Sequence, residues 1–400
     1  MNAISIRARI SGVLLAGALA ASAAFDARAD AILDWNAKTS ELVAEAKLGT
    51  PPAIRLMALT QTAASEAFDA VAGEPSQVID AAVAAAHRAM LARLLPSQRA
   101  AIDAAYQAAL AQLPEGPARA SGIAAGERAA AATLARRADD AVTGEAYRPH
   151  TSPGAYVPTS APAAPQWPQR KPWLMASAAQ FRPGPPPALA SDAWARDYNE
   201  VKTVGARAST RRTAEQTEIA RFWEYSLPAI YFGVVRAVAE LPGRDIARNA
   251  RLYAAVAQGM DDAMIAVFDA KYHYGFWRPV TAIRNGDRDG NDATERDAAW
   301  TPLLDAPLHP EYPSAHSILA AAVGTVLVAE VGNGSMPLLS TTSPTAKGVV
   351  RRWTSVEDFI AEVANARIYE GIHYRTSTEV GVEMGRRIGA AAAAMLATAP

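Results

Sequence analysis

The chain has 400 residues, 39 basic and 40 acidic side chains, a formal net charge of −1, and no cysteine. At roughly 150 residues per domain, that length holds one large domain or two to three small ones, and a composition 50% hydrophobic and 7% aromatic is globular. The balanced charge argues against a nucleic-acid binder, and the missing cysteines exclude disulfides, thiolate metal sites, iron–sulfur clusters and a cysteine nucleophile.

Residues 1–29 read as an export signal. Arg7 and Arg9 supply a basic start, Ile10 to Ala24 an apolar stretch, and Ala27 to Ala29 a small-x-small cleavage site, so Asp30 is the expected first mature residue. A retained membrane anchor is the alternative, disfavoured by the short apolar run. Export without cysteine points to a periplasmic or secreted protein. Later in the chain the most apolar run, Ser317 to Ala329, suits a buried helix better than a membrane span, so no membrane insertion is expected after signal cleavage.

Helical spacing covers Trp35 to Lys47, Pro52 to Val71, Val78 to Leu94, Ser97 to Gln112 and Ala118 to Asp139. Residues 149–187 then hold 11 of the 27 prolines, which excludes helix interior there. Trp167, Trp173 and Phe181 in this segment predict a crossover packed against the body. Helices resume over Thr213 to Glu240 and Arg244 to Tyr274, a loop covers Asn285 to Pro313, and further helices cover Ser314 to Val331, Ser355 to Tyr369 and Ser377 to Thr398. Strand patterns are nearly absent and no repeat is visible. The expected fold is all-α: a first helical bundle over 30–148, the Pro-rich crossover, and a second bundle over 188–400 carrying the active site.

Chemistry-bearing residues gather in the second bundle, where four of the six histidines fall between residues 273 and 373. Lys271 to Pro279 reads KYHYGFWRP. On a helix, positions seven apart share a face, so Lys271 and Arg278 can converge on one anion, and Pro279 turns Arg278 out of helical geometry. Two solvated surface cations would give the same spacing. His309 to Ser317 reads HPEYPSAHS. Pro313 sits where a helix begins, so free amides, the dipole and the Ser314 hydroxyl make an anion site, with His316 a candidate acid/base. A capping serine beside a structural histidine is the bland reading. Arg367 to Tyr374 reads RIYEGIHY. Gly371 breaks the helix, so His373 can turn back toward Arg367 and offer a ring nitrogen as ligand or nucleophile. A helix C-cap with a surface histidine is the alternative.

In this order and spacing, Lys-x6-Arg-Pro, Pro-Ser-x-His and Arg-x5-His resemble the vanadium-dependent haloperoxidase and type 2 phosphatidic acid phosphatase superfamily. The likeness to its soluble bacterial haloperoxidase-like members extends to Asp30–Asn36, Gln180–Pro183 and Gln216–Trp223. The resemblance implies an all-α fold and a vanadate cofactor, with phosphate a competing occupant. The oxyanion would be held by Lys271, Arg278, Ser314, the Ala315 amide and Arg367. His373 would be the axial ligand to vanadium, His316 the acid/base, and Lys271 would polarise bound peroxide. The implied activity is peroxide-dependent halide oxidation. In the phosphatase branch, His373 would attack the phosphorus of a phosphomonoester and His316 would protonate the leaving group. A non-catalytic oxyanion-binding homologue is the third alternative.

Two departures from the family pattern stand out. The phosphatase mechanism usually has Asp four residues after the nucleophilic histidine, where this chain has Ser377, so His373 is expected to be less well oriented unless Glu379 or another residue substitutes. Ala315 stands where the family has Gly, and its methyl is expected to crowd the anion or alter amide access. Other signals take structural readings. Asn285 to Gly290 resembles the start of a calcium loop, but Arg296 occupies the position of the bidentate glutamate. Phe276, Trp277 and Trp300 suit either a halide pocket or packed core. His273 is expected to face away from Lys271, and His309 to support the site from behind. No residue fixes an oligomeric state; a homo-oligomer stays open. Lacking thiols would suit a protein that makes a strong oxidant.

Overall fold

A computed structural model describes residues 30–140 and 147–397; the expected export signal, 1–29, lies outside the described residues. Five helices form the first bundle: α1 (Ala31–Glu45), α2 (Thr50–Asp69), α3 (Ser76–Leu94), α4 (Arg99–Leu110) and α5 (Pro117–Arg136). Asp30 caps α1, its carboxylate accepting from the Ile32 amide at 2.8 Å. Eight more follow: α6 (Asp192–Val204), α7 (Ala214–Trp223), α8 (Ala229–Ala239), α9 (Ile246–Tyr274), α10 (Pro279–Arg284), α11 (Ala315–Val331), α12 (Val356–Tyr369) and α13 (Arg375–Ala397). The all-α expectation holds.

The helix α9 organises the molecule. It has 29 residues and is buried along most of its length, packing on α1 and α2 on one side and on α11 and α13 on the other. One apolar core therefore runs from Ile32 and Leu42 in the first bundle to Ile388 and Ala392 in α13. Helices α11 and α13 lie against each other very closely. At Gly381 a side-chain methyl would stand 2.7 Å from the Ser314 carbonyl oxygen, so only hydrogen there lets α13 touch the start of α11.

The Pro-rich segment crosses the surface as a strap tied to acidic residues of α9. Asp262 accepts from the amides of Trp173 (2.7 Å), Leu174 (2.7 Å) and Met175 (3.1 Å). Asp261 accepts from the Trp173 indole at 2.7 Å, and Arg182 grips Asp269 with two bonds. Trp167 is buried, while Trp173 and Phe181 pack on the core from its edge. Strap and site meet at the end of α9, where the Tyr156 amide donates to the Gly275 carbonyl at 2.7 Å.

Four elements differ from expectation, the first being the short α10 after Arg278, where no helix is expected. The single helix expected over Thr213 to Glu240 is two, α7 and α8, because Pro228 lacks the amide to continue the ladder. That break leaves the carbonyls of Trp223 and Tyr225 free to face the site. Helix α6 carries mixed polar sequence and was not foreseen; its apolar stripe, Trp194, Tyr198 and Val201, is short. A small antiparallel hairpin, β1 (Leu339–Thr342) with β2 (Val350–Trp353), pairs Leu339 with Trp353. No described helix is long and apolar enough to cross a membrane.

Candidate oxyanion site

The three motifs meet at one buried place. Lys271 lies on the last turn of α9, which ends at Gly275 with φ +54°. Arg278 is extended (φ −75°, ψ 153°) just before α10. The pair thus converges through a turn in the chain, and the expectation that both share one helix face is corrected. The reason is the left-handed Gly275, which ends the helix three residues before Arg278.

Every Lys271 donor is engaged. Its ammonium, fully buried, donates to the carbonyls of Pro310 (3.1 Å), Glu311 (2.8 Å) and Pro313 (2.5 Å). Burial, reinforced by the Arg278 charge, pushes its pKa well below the ordinary lysine range. Arg278 is as fully committed. It donates to the His309 carbonyl (2.9 Å), the Ile372 carbonyl (2.9 Å), His373 Nε2 (3.2 Å), His309 Nδ1 (2.9 Å) and, weakly, the Pro310 carbonyl (3.4 Å). Burial draws its pKa down to about 10, so it stays charged. To bind an anion, both residues must exchange protein acceptors for it.

Ser314 caps α11. Its hydroxyl oxygen accepts from the Ser317 amide (3.4 Å) and hydroxyl (2.9 Å), which leaves its own proton uncommitted. Ala315 is the first residue of α11, half-buried, and its amide has no carbonyl to meet within the helix. His316 is buried beside the Trp223 and Tyr225 carbonyls. Burial and then the Arg367 charge hold its pKa well below the ordinary histidine range, so the ring is neutral. Its Nε2 has no hydrogen-bond partner among the described residues.

Arg367, on the last turn of α12, donates to the Trp223 carbonyl (2.8 Å) and to Glu370 (2.6 Å), while its Nε is buried without a partner among the described residues. Gly371 reverses the chain with φ +79°, in close contact with the Gly205 backbone, and the His373 amide returns to the Arg367 carbonyl at 3.2 Å. A cleft of about 410 Å³ opens beside Arg367, lined by Arg207, Arg221, Glu224, Asp305 and Glu370 among others. A larger cavity of about 680 Å³ lies between α2, α5 and the strap and touches none of the three motifs.

Two carboxylates at the site escaped the sequence reading. Glu311, fully buried, accepts from His373 Nδ1 at 2.7 Å and from the Tyr374 amide at 3.1 Å. Ser377 stands at the usual position, 3.4 Å from Nδ1, and another residue does substitute for the missing aspartate: Glu311, not Glu379, supplies the carboxylate, from the loop before α11. The signal was the acidic residue inside HPEYPSAH itself. Burial pushes Glu311 up to about 7, against the pull of Arg278 and Lys271. Glu370 is pushed up to about 8, again by burial, with Arg367 opposing. Glu379, named as a substitute, is neither buried nor bonded to His373 among the described contacts.

The secondary candidates resolve into structure. Phe276, Trp277 and Trp300 pack with Trp194, Tyr198 and Tyr374 in an aromatic satellite core. His273 is exposed, and His309 lies behind Arg278 as a hydrogen-bond acceptor. Asp289 of the calcium-like stretch is taken by the Thr294 hydroxyl and the Trp194 indole at 2.8 Å, and no described cluster of three or more His, Asp or Glu is arranged for a metal.

Fold and site together define a helical protein with a buried cationic pocket at a helix N-terminus. Residues 251–399 match the family model described as the VCPO second helical-bundle domain. Vanadium chloroperoxidase of Curvularia inaequalis is 27% identical over 259 residues, spanning 48% of this chain and 42% of that enzyme's length. The solved structure of the first bacterial vanadium-dependent iodoperoxidase superposes with a TM-score of 0.77 at 26% identity, covering 91% of this chain and 94% of that one. The holo form of a bacterial vanadium-dependent chloroperoxidase gives 0.71 at 18%, covering 88% and 93%, a likeness of fold alone. Over these spans the chain is similar to the vanadium haloperoxidases.

The residues present suit a tetrahedral oxyanion such as vanadate or phosphate. Three buried cations face two buried carboxylates that both resist ionisation, and burial holds all three cations below their ordinary pKa. A multiply charged anion would relieve that excess, and Arg367 Nε and His316 Nε2 are buried polar atoms awaiting a partner.

Proposed function

We propose that this chain is a vanadate-dependent, haloperoxidase-like oxidoreductase that uses hydrogen peroxide to oxidise halide. When bound, vanadate would supply a Lewis-acidic centre that activates peroxide. Arg367, Arg278 and Lys271 would balance its charge, and the Ser314 hydroxyl and Ala315 amide would donate to its oxygens. His373 would help hold it through Nε2. The neutral His316 would take a proton from incoming peroxide, and Lys271 would polarise it once bound. One observation carries the reading: three buried cations surround a single imidazole whose Nδ1 is bonded to a carboxylate, next to a helix N-terminus.

That same observation favours a second reading. A carboxylate behind His373 is what a phosphohistidine mechanism requires, so a soluble acid phosphatase acting on phosphomonoesters is the alternative. Phosphate-free protein assayed with vanadate, peroxide and bromide, and separately with a phosphomonoester, separates the two. Vanadate-dependent bromination abolished by His373→Ala supports the first; hydrolysis inhibited by vanadate supports the second. Oxyanion binding without either activity leaves a non-catalytic homologue, and failure to bind vanadate or phosphate overturns the site. Export to the periplasm or medium is proposed from residues 1–29 alone, with small molecules as the substrates.

A further inference from the structure

We propose that Glu311 is the positioning residue of His373, fixing its tautomer so that Nε2 presents a lone pair to the pocket. This goes beyond the functional reading, and its oxyanion-binding consequence rests on that reading. The argument begins at the other ring nitrogen. Arg278 can only donate, and its NH1 lies 3.2 Å from His373 Nε2, so Nε2 is an acceptor. A neutral imidazole then carries its hydrogen on Nδ1. Glu311 Oε1 lies 2.7 Å from Nδ1, placed to accept that hydrogen. The Ser377 hydroxyl, at 3.4 Å, is too distant to compete.

Glu311 is not simply a counter-ion for the cage. The three Lys271 donors go to carbonyls, and those of Arg278 go to carbonyls and ring nitrogens. Its Oε1 accepts from both the imidazole and the next amide, Tyr374. Its backbone is held too: the Glu311 amide donates to the Phe276 carbonyl at 2.9 Å, and its carbonyl accepts from Lys271. The loop that ends in Ser314 therefore contributes both the anion-binding helix start and the partner of His373. The carboxylate expected four residues after the histidine has been replaced in space by one sixty-two residues before it.

The test uses the mature chain labelled with 15N-histidine. In wild type the His373 ring is expected to show a protonated Nδ1 and a pyridine-like Nε2. Glu311→Ala should lose that tautomer preference and weaken vanadate and inorganic phosphate binding by about tenfold to a hundredfold, the usual cost of removing such a partner. Glu311→Gln, which keeps an acceptor and the volume, should retain the tautomer with a smaller loss of affinity; it guards against a Glu311→Ala protein that fails to fold. Adding Ser377→Asp to Glu311→Ala should restore both signals, a rescue that a merely structural role would not give. A folded Glu311→Ala with an unchanged tautomer, or no recovery in the double variant, overturns the proposal. Wild type that binds neither anion would sink the functional reading instead, while the tautomer still tests Glu311.

Discussion

Arg367 and Glu370, one helical turn apart, form an ion pair of 2.6 Å with both side chains shut off from solvent. Both residues line the cleft beside Arg367, so any oxyanion held by Arg367 must share it with this carboxylate. Glu370 is pushed up to about 8. At pH 6 it carries a proton and competes little; at pH 9 it is charged and competes fully. Glu370→Gln should therefore bind inorganic phosphate about fivefold more tightly than wild type at pH 9, roughly 1 kcal/mol for one screened charge, and nearly equally at pH 6. Calorimetric titration at both pH values checks this. An affinity ratio that does not change with pH would remove Glu370 from the account.

Lys271 has a second task besides charge. Its three donors hold the Pro310, Glu311 and Pro313 carbonyls and so shape the loop that carries Ser314. Lys271→Met should leave those carbonyls short of partners and lower unfolding stability by roughly 2–4 kcal/mol, together with phosphate binding. Lys271→Arg should not recover either, because a planar fork cannot reach three converging carbonyls. Urea midpoints and phosphate titrations on both variants give the answer; a Lys271→Met midpoint equal to wild type would show that the loop holds itself.

The sequence made the helical character and the three motifs legible because both depend on local spacing. The turn at Gly371 was visible for the same reason. Partners far apart in sequence were not. The acidic residue inside HPEYPSAH is visible locally, but not that it faces His373, and nothing near Trp223 says that its carbonyl will receive Arg367. The convergence of Lys271 and Arg278 was foreseen, but by a shared helix face rather than by the Gly275 turn that produces it. Helix α6 was missed because its polar face outweighs a stripe of three large side chains.

Asp262 is the fastening of the strap. It is pushed up to about 6 by burial even though three strap amides stabilise its charge. Asp262→Ala would orphan those amides and is expected to lower stability by roughly 3 kcal/mol while exposing residues 171–176 to proteolysis. Asp262→Asn keeps one acceptor oxygen and should fall between. Limited proteolysis alongside thermal unfolding tests both effects. An Asp262→Ala protein that resists protease as wild type does would mean the Trp173 and Arg182 contacts suffice.

His87 should set part of the acid limb of stability. It is fully buried in α3, stacked on Trp35 with ring centroids 5.3 Å apart, its Nδ1 bonded to the Val83 carbonyl at 2.9 Å. Burial lowers its pKa from 6.5 to about 4. Between those values the unfolded chain binds a proton that the native protein does not, so stability falls as pH falls. The native protein loses nothing above pH 6.5 and about 3 kcal/mol by pH 4, at 1.36 kcal/mol per pKa unit. Carboxylates add their own slope, so the variant must isolate this one. His87→Phe keeps the stacking and most of the volume and gives up one bond to a carbonyl that the helix ladder still uses. Its unfolding free energy should match wild type within about 1 kcal/mol at pH 7.5 and exceed it by about 2–3 kcal/mol at pH 4.5. Urea unfolding across that range measures the difference directly. Parallel curves for the two proteins would mean that the native state accommodates a charged His87, against the burial that the fold imposes on it.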